Sequence, residues 1–88
     1  MGKVLNLVRV LPESVDTDLK RLEKEIEKSL PNDMTLHKVE EEPIAFGLKA
    51  LKVYVITEDR GGVLKRLEES LSRLKGVSRV QVELSSKI

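Results

Sequence analysis

Cysteine is absent from the 88 residues, which excludes disulfides, thiolate nucleophiles, cysteine-ligated zinc and iron–sulfur clusters. Aromatic residues are almost absent: there is no tryptophan, one tyrosine (Tyr54) and one phenylalanine (Phe46). Base stacking on sheet aromatics, the way RNA-recognition domains work, therefore has little to use. No apolar run approaches the ~18 residues of a membrane span. The apolar stretch after Met1-Gly2-Lys3 is too short and interrupted for a signal peptide, so a cytoplasmic protein is expected. An excess of charge of one sign is also lacking. Lys+Arg 16 against Asp+Glu 15 leaves a net charge of +1, which argues against a bulk electrostatic grip on nucleic acid. Histidine occurs once, as His37, and a single histidine with no cysteine makes a poor metal site.

What is present is periodicity. Eighty-eight residues allow one domain, expected to span 1–88. Val4 to Leu11 is β-branched and apolar on both faces, as in a central strand, and Pro12 ends it. Leu19, Leu22, Ile26 and Leu30 then fall on one helical face. Asp16 is the expected N-cap, Asp18 suits the positive end of the helix dipole, and Pro31 stops the helix. Thr35–Glu41 and Leu48–Thr57 read as strands; in the latter Leu51, Val53 and Val55 point one way, and Ala50, Lys52, Tyr54 and Ile56 the other. Gly61-Gly62 opens a second helix with Leu64, Leu67, Leu71 and Leu74 on one side, and Gly76 is a candidate C′ residue. Val77–Leu84 is the last strand, with Val80, Val82 and Leu84 expected on one face, followed by a tail, Ser85-Ser86-Lys87-Ile88. The order βαββαβ predicts an α+β ferredoxin-like split βαβ fold, a four-stranded antiparallel sheet with both helices on one face. The other face and the loop ends are left for partners.

Fold does not give function, and several activities of this architecture can be tested by their motifs. The phosphate-cradling loop of acylphosphatases follows the first strand, where this chain has the acidic Leu11-Pro12-Glu13-Ser14. Small-ligand regulatory domains stay open as an alternative, as does an RNA-binding domain. Glu40-Glu41-Glu42 alternates across two faces, which suits solvation or basic partner residues better than metal binding. Lys49 and Lys52 flank the hairpin, and by themselves read as a solvated strand edge. In Pro43-Ile44-Ala45-Phe46-Gly47-Leu48-Lys49, Pro43 fixes φ and Gly47 permits φ > 0, so a turn is expected. Phe46 inside it is either a plug under the hairpin or an anchor for a partner's pocket.

The run Glu42 to Asp59 resembles the exchange domain of translation elongation factor 1-beta, and the flanking helices match more loosely. Eukaryotic members carry long N-terminal extensions, so the resemblance is to the short archaeal form. It implies a guanine-nucleotide exchange factor that binds the elongation factor 1-alpha GTPase and makes no covalent change. No cofactor, metal, membrane or direct nucleic-acid contact is called for. The partner-binding residues it implies are Phe46, Gly47, Lys49, Lys52, Lys87 and Ile88. A penultimate lysine is by itself a solvated tail residue; the family, however, ends in a lysine followed by an apolar residue, and in relatives that lysine enters the GTPase's magnesium site. Eukaryotic relatives carry a second lysine where this chain has Ala50.

Overall fold

The computed structural model describes residues 2–88, in the order β1 (Lys3–Pro12), α1 (Leu19–Ser29), β2 (Thr35–Ala45), β3 (Leu48–Glu58), α2 (Val63–Ser72) and β4 (Val77–Lys87). The strands form one sheet in the order β2-β3-β1-β4, every neighbouring pair antiparallel. This is the expected βαββαβ, ferredoxin-like arrangement. β1 and β3 hold the centre, which is why both carry apolar residues on each face. On one face Val8, Val10, Leu51, Val53 and Val55 are fully buried, and Leu22 and Ile26 of α1 and Leu67 and Leu71 of α2 join the same core. On the other face Leu5, Leu7, Lys52, Tyr54 and Ile56 are half-buried.

Several local expectations change. Asp18, not Asp16, caps α1: its backbone is extended (φ −74°, ψ 99°) and its Oδ1 accepts the Arg21 N–H at 3.1 Å. Asp16 instead donates its N–H to Ser14 Oγ in the preceding turn. In α2 the buried stripe is Val63, Leu67 and Leu71, spaced by four, and Leu64 lies a hundred degrees round from Val63 and is exposed. Leu74 falls beyond the helix and packs partly on the core. Gly76 is not the C′ residue. The helix ends at Ser72 with Arg73 as its C-cap, and Gly76 (φ 96°) sits in a turn closed by Val77 N–H to Leu74 O at 3.2 Å.

The edge strands run further than their sequence signals. β2 continues through Pro43 to Ala45, because an edge strand tolerates a residue with no N–H to donate. Its register shifts between Pro43 and Ala45 and again between Leu36 and Lys38, which places His37 in an exposed bulge. β4 absorbs most of the expected tail, pairing Ser85 with Asn6, Ser86 with Leu5 and Lys87 with Val4. Its register shifts between Leu11 and Pro12 and again where Val82 faces Val8 but Leu84 faces Leu7, so Glu83 is the extra residue of a bulge. Leu84 is thereby turned away from the face of Val80 and Val82 and is exposed.

Candidate functional site

The β2–β3 hairpin closes through a two-residue turn. Ala45 pairs with Leu48, and Phe46 and Gly47 between them have φ of 52° and 79°. Two successive left-handed residues are the pattern of a type I′ turn, whose twist matches that of the flanking strands. Glycine adopts this backbone freely; a phenylalanine there is a steric outlier, because its β carbon crowds the backbone. Phe46 is the only non-glycine residue with positive φ among the described residues, and its side chain is fully exposed. The plug under the hairpin is therefore excluded. Exposed Ile44 lies in the adjoining bulge, and exposed Val15, from the β1–α1 loop, approaches to 3.9 Å from where a β carbon on Gly47 would stand. Val15 carries no motif, and only its apolar character in a polar loop marks it in the sequence.

Lys49 and Lys52 fall on opposite faces of β3. Lys49 shares the helix-side row and pairs with Glu41 at 3.6 Å. Lys52 lies on the open face, between Arg9 and Glu40 in register. The three glutamates do not converge: Glu40 accepts the Tyr54 hydroxyl at 3.1 Å, Glu41 meets Lys49, and Glu42 meets the Arg9 guanidinium at 3.0 Å. Lys38 stands over the Tyr54 ring, 4.7 Å from its centre. Arg9 also bridges to Glu83 at 3.2 Å, so one side chain ties the two edge strands across the open face. Ala50, opposite Glu42, is fully buried and offers a partner nothing to touch.

Lys87 and Ile88 lie at the other end of the sheet. β3 carries ten residue steps from Leu48 to Glu58, roughly 33 Å of extended chain, and Lys87, paired with Val4 and so level with Thr57, stands at its far end. Lys87 Nζ meets Asp59 Oδ2 at 3.4 Å, and the side chain is 83% exposed. Ile88 donates its N–H to Lys3 O at 3.0 Å, and Asp59 donates its own to Gly2 O. Near this corner Asp33 accepts from Arg60 and, in a two-pronged contact at 3.0 and 3.2 Å, from Arg66. The Arg66 hydrogen bond holds the Asp33 carboxyl below the usual carboxylate range, and Asp33 in turn raises the Arg66 guanidinium. Six residues named from the sequence thus divide between two ends: Phe46, Gly47, Lys49 and Lys52 at or near the hairpin, Lys87 and Ile88 at the far corner.

The EF-1 guanine nucleotide exchange domain, as a family, matches residues 5–88. The chain belongs to that family. Elongation factor 1-beta of Methanothermobacter thermautotrophicus is 50% identical over 82 residues, 93% of this chain and 92% of its own length. That of Staphylothermus marinus is 43% identical over 89 residues, 100% of this chain and 99% of the relative. Guanine-nucleotide exchange in translation elongation is the function of an EF-1 exchange domain, here with relatives in archaea. Among solved structures, the ACT domain from GTP pyrophosphokinase of Chlorobium tepidum covers 94% of this chain and 89% of that one with a TM-score of 0.69. At 17% identity that likeness shows the fold alone. No helix among the described residues is long and apolar enough to cross a membrane.

Proposed function

We propose that this exchange domain acts in the cytoplasm on elongation factor 1-alpha, holding the GTPase by the hairpin end and loosening its nucleotide from the Lys87 end. The observation that carries the proposal is Phe46, an aromatic held in full solvent by a backbone conformation that disfavours it. Strain of this kind persists only where the surrounding structure enforces it, and an exposed aromatic with apolar neighbours is the usual form of a binding anchor. Gly47 supplies the turn that presents the ring, and Lys49 and Lys52 offer cations on either side of it.

At the far end, the Lys87 ammonium would enter the partner's magnesium site after leaving Asp59, an exposed pairing that costs little to break. It carries one charge and cannot coordinate phosphate oxygens as the metal does. The nucleotide phosphates are then undercompensated and GDP loosens. No covalent bond changes. The domain binds the nucleotide-free GTPase better than the GDP form, so reciprocity makes it weaken GDP by the same factor.

The test is release of fluorescent GDP from elongation factor 1-alpha against free Mg²⁺, with the intact chain, Lys87→Met and a chain lacking Lys87 and Ile88. Added Mg²⁺ should inhibit the intact chain more than either variant, since ion and ammonium compete for one place. Superimposable curves would remove Lys87 from the mechanism. No acceleration by the intact chain would refute the proposal outright and favour a small-ligand or RNA-binding role.

A further inference from the structure

We infer that Asn6 is a positioning residue that sets the register of β4 and so decides which face of the sheet presents Lys87; the consequence for exchange rests on the role proposed for Lys87 above. Asn6 interrupts the otherwise apolar helix-side row of β1, between Val4 and Val8, and is 1% exposed. Both of its amide donors and its carbonyl oxygen are engaged, tying β1 to β3 and β4. Nδ2 donates to Thr57 Oγ1 at 3.0 Å and to Val55 O at 3.2 Å, both on β3, and Oδ1 accepts from Ser85 Oγ of β4 at 2.7 Å.

The Ser85 contact exists only because of the Glu83 bulge. Val80 and Val82 face the helices, and regular alternation would bring Leu84, Ser86 and Ile88 to the same side. The extra residue instead puts Ser85 and Lys87 there, opposite Asn6 and Val4. Lys87 is thereby aimed at Asp59, which follows the helix-side row of β3. A register without the bulge has an evident attraction, because it would turn Leu84, now 61% exposed on the open face, to the helix side beside Val82. It would also set Leu84 against Asn6, leaving a buried amide oxygen with no donor, and such an orphan bears its full desolvation penalty. The Arg9–Glu83 ion pair also favours the bulge, but it is partly exposed and correspondingly weak. Asn6 is thus a device against the alternative pairing, and a slip of one residue would turn Lys87 to the opposite face.

The experiment replaces both buried partners, Asn6→Val with Thr57→Val, so that no orphaned polar group remains in the core. Cross-strand proton contacts measured by NMR should move residue 6 from Ser85 to Leu84. GDP release from elongation factor 1-alpha should slow on the order of tenfold, within the range of about 5–150-fold typical of coupling between sites, while GTPase binding persists. Deleting Glu83 in the same background makes the regular ladder pair residue 6 with Ser85, so release should recover; a purely stabilising role for Asn6 predicts no such rescue. Deleting Glu83 alone keeps the Asn6–Ser85 pairing and should leave release near that of the intact chain. An unchanged register in the double variant, or loss of release in a folded Glu83 deletion, overturns the inference. A shifted register with unchanged release supports the role of Asn6 and refutes that of Lys87.

Discussion

Phe46 spends folding stability on something the isolated chain does not need. A left-handed backbone costs an ordinary L-residue roughly 1–2 kcal/mol, a penalty that asparagine largely escapes at this turn position. Phe46→Asn should therefore stabilise the free protein by on the order of 1 kcal/mol, read as a raised denaturant midpoint. The same substitution should weaken GTPase binding by ~2 kcal/mol or more, the usual loss at a hot spot. A lower midpoint would mean that the ring packs on the hairpin and would sink the anchor. Asp33 makes the opposite kind of contribution. Its carboxyl is held below its ordinary range chiefly by the Arg66 hydrogen bond, so its stabilisation is present above the unfolded pKa and disappears as pH falls through the folded one. Melting temperatures of the intact chain and Asp33→Asn should differ at neutral pH and converge in acid below the carboxylate range. A gap that stays constant to low pH would show that the ionised carboxylate is not what matters.

Among the elements, α2 separates periodicity from position. Leu67 and Leu64 both fit a leucine stripe in the sequence, yet Leu67 is fully buried and Leu64 is exposed, because the helix starts at Val63 and turns its 63–67–71 row onto the sheet. Leu67→Ala should cost about 2–5 kcal/mol and Leu64→Ala within about 0.5 kcal/mol; equal losses in thermal unfolding would contradict this packing. The same limit explains what was legible beforehand. Element order, the central place of β1, the core of α1 and the Leu67–Leu71 part of α2 follow from apolar spacing, which the sheet and helix periods fix. The Glu83 bulge, the run of β2 through Pro43 and the choice of Asp18 over Asp16 as cap do not, since each depends on which neighbour satisfies a particular backbone or side-chain group. Phe46 was legible as a turn aromatic from its neighbours, and as an exposed one only through the family resemblance. Asn6 had a visible signal, a single amide inside Val4-Leu5-Asn6-Leu7-Val8, though its partners on β3 and β4 are remote in sequence.

At the scale of the molecule, the sequence-named residues are not one site. The chain extends 42 Å along its long axis, and the hairpin tip and the Lys87 corner stand at opposite ends of a sheet whose strands span roughly 33 Å. A GTPase touched by both must offer two separate surfaces, one that takes up an aromatic and one beside its nucleotide. Groups this far apart, with no shared neighbours, should act independently within about 0.3–0.5 kcal/mol. Phe46→Ala, Lys87→Met and the double variant, compared by the second-order rate of GDP release, should therefore give free-energy losses that add. The single variants should also differ in kind: Phe46→Ala should raise the concentration of exchange domain needed for half-maximal release, and Lys87→Met should lower the maximal rate, because in the proposed mechanism only the latter contact distinguishes the loosened nucleotide state from the tight one. A coupling well above that margin would mean that the GTPase closes around both ends in one concerted step, and the division of the surface into a holding end and an acting end would have to be abandoned.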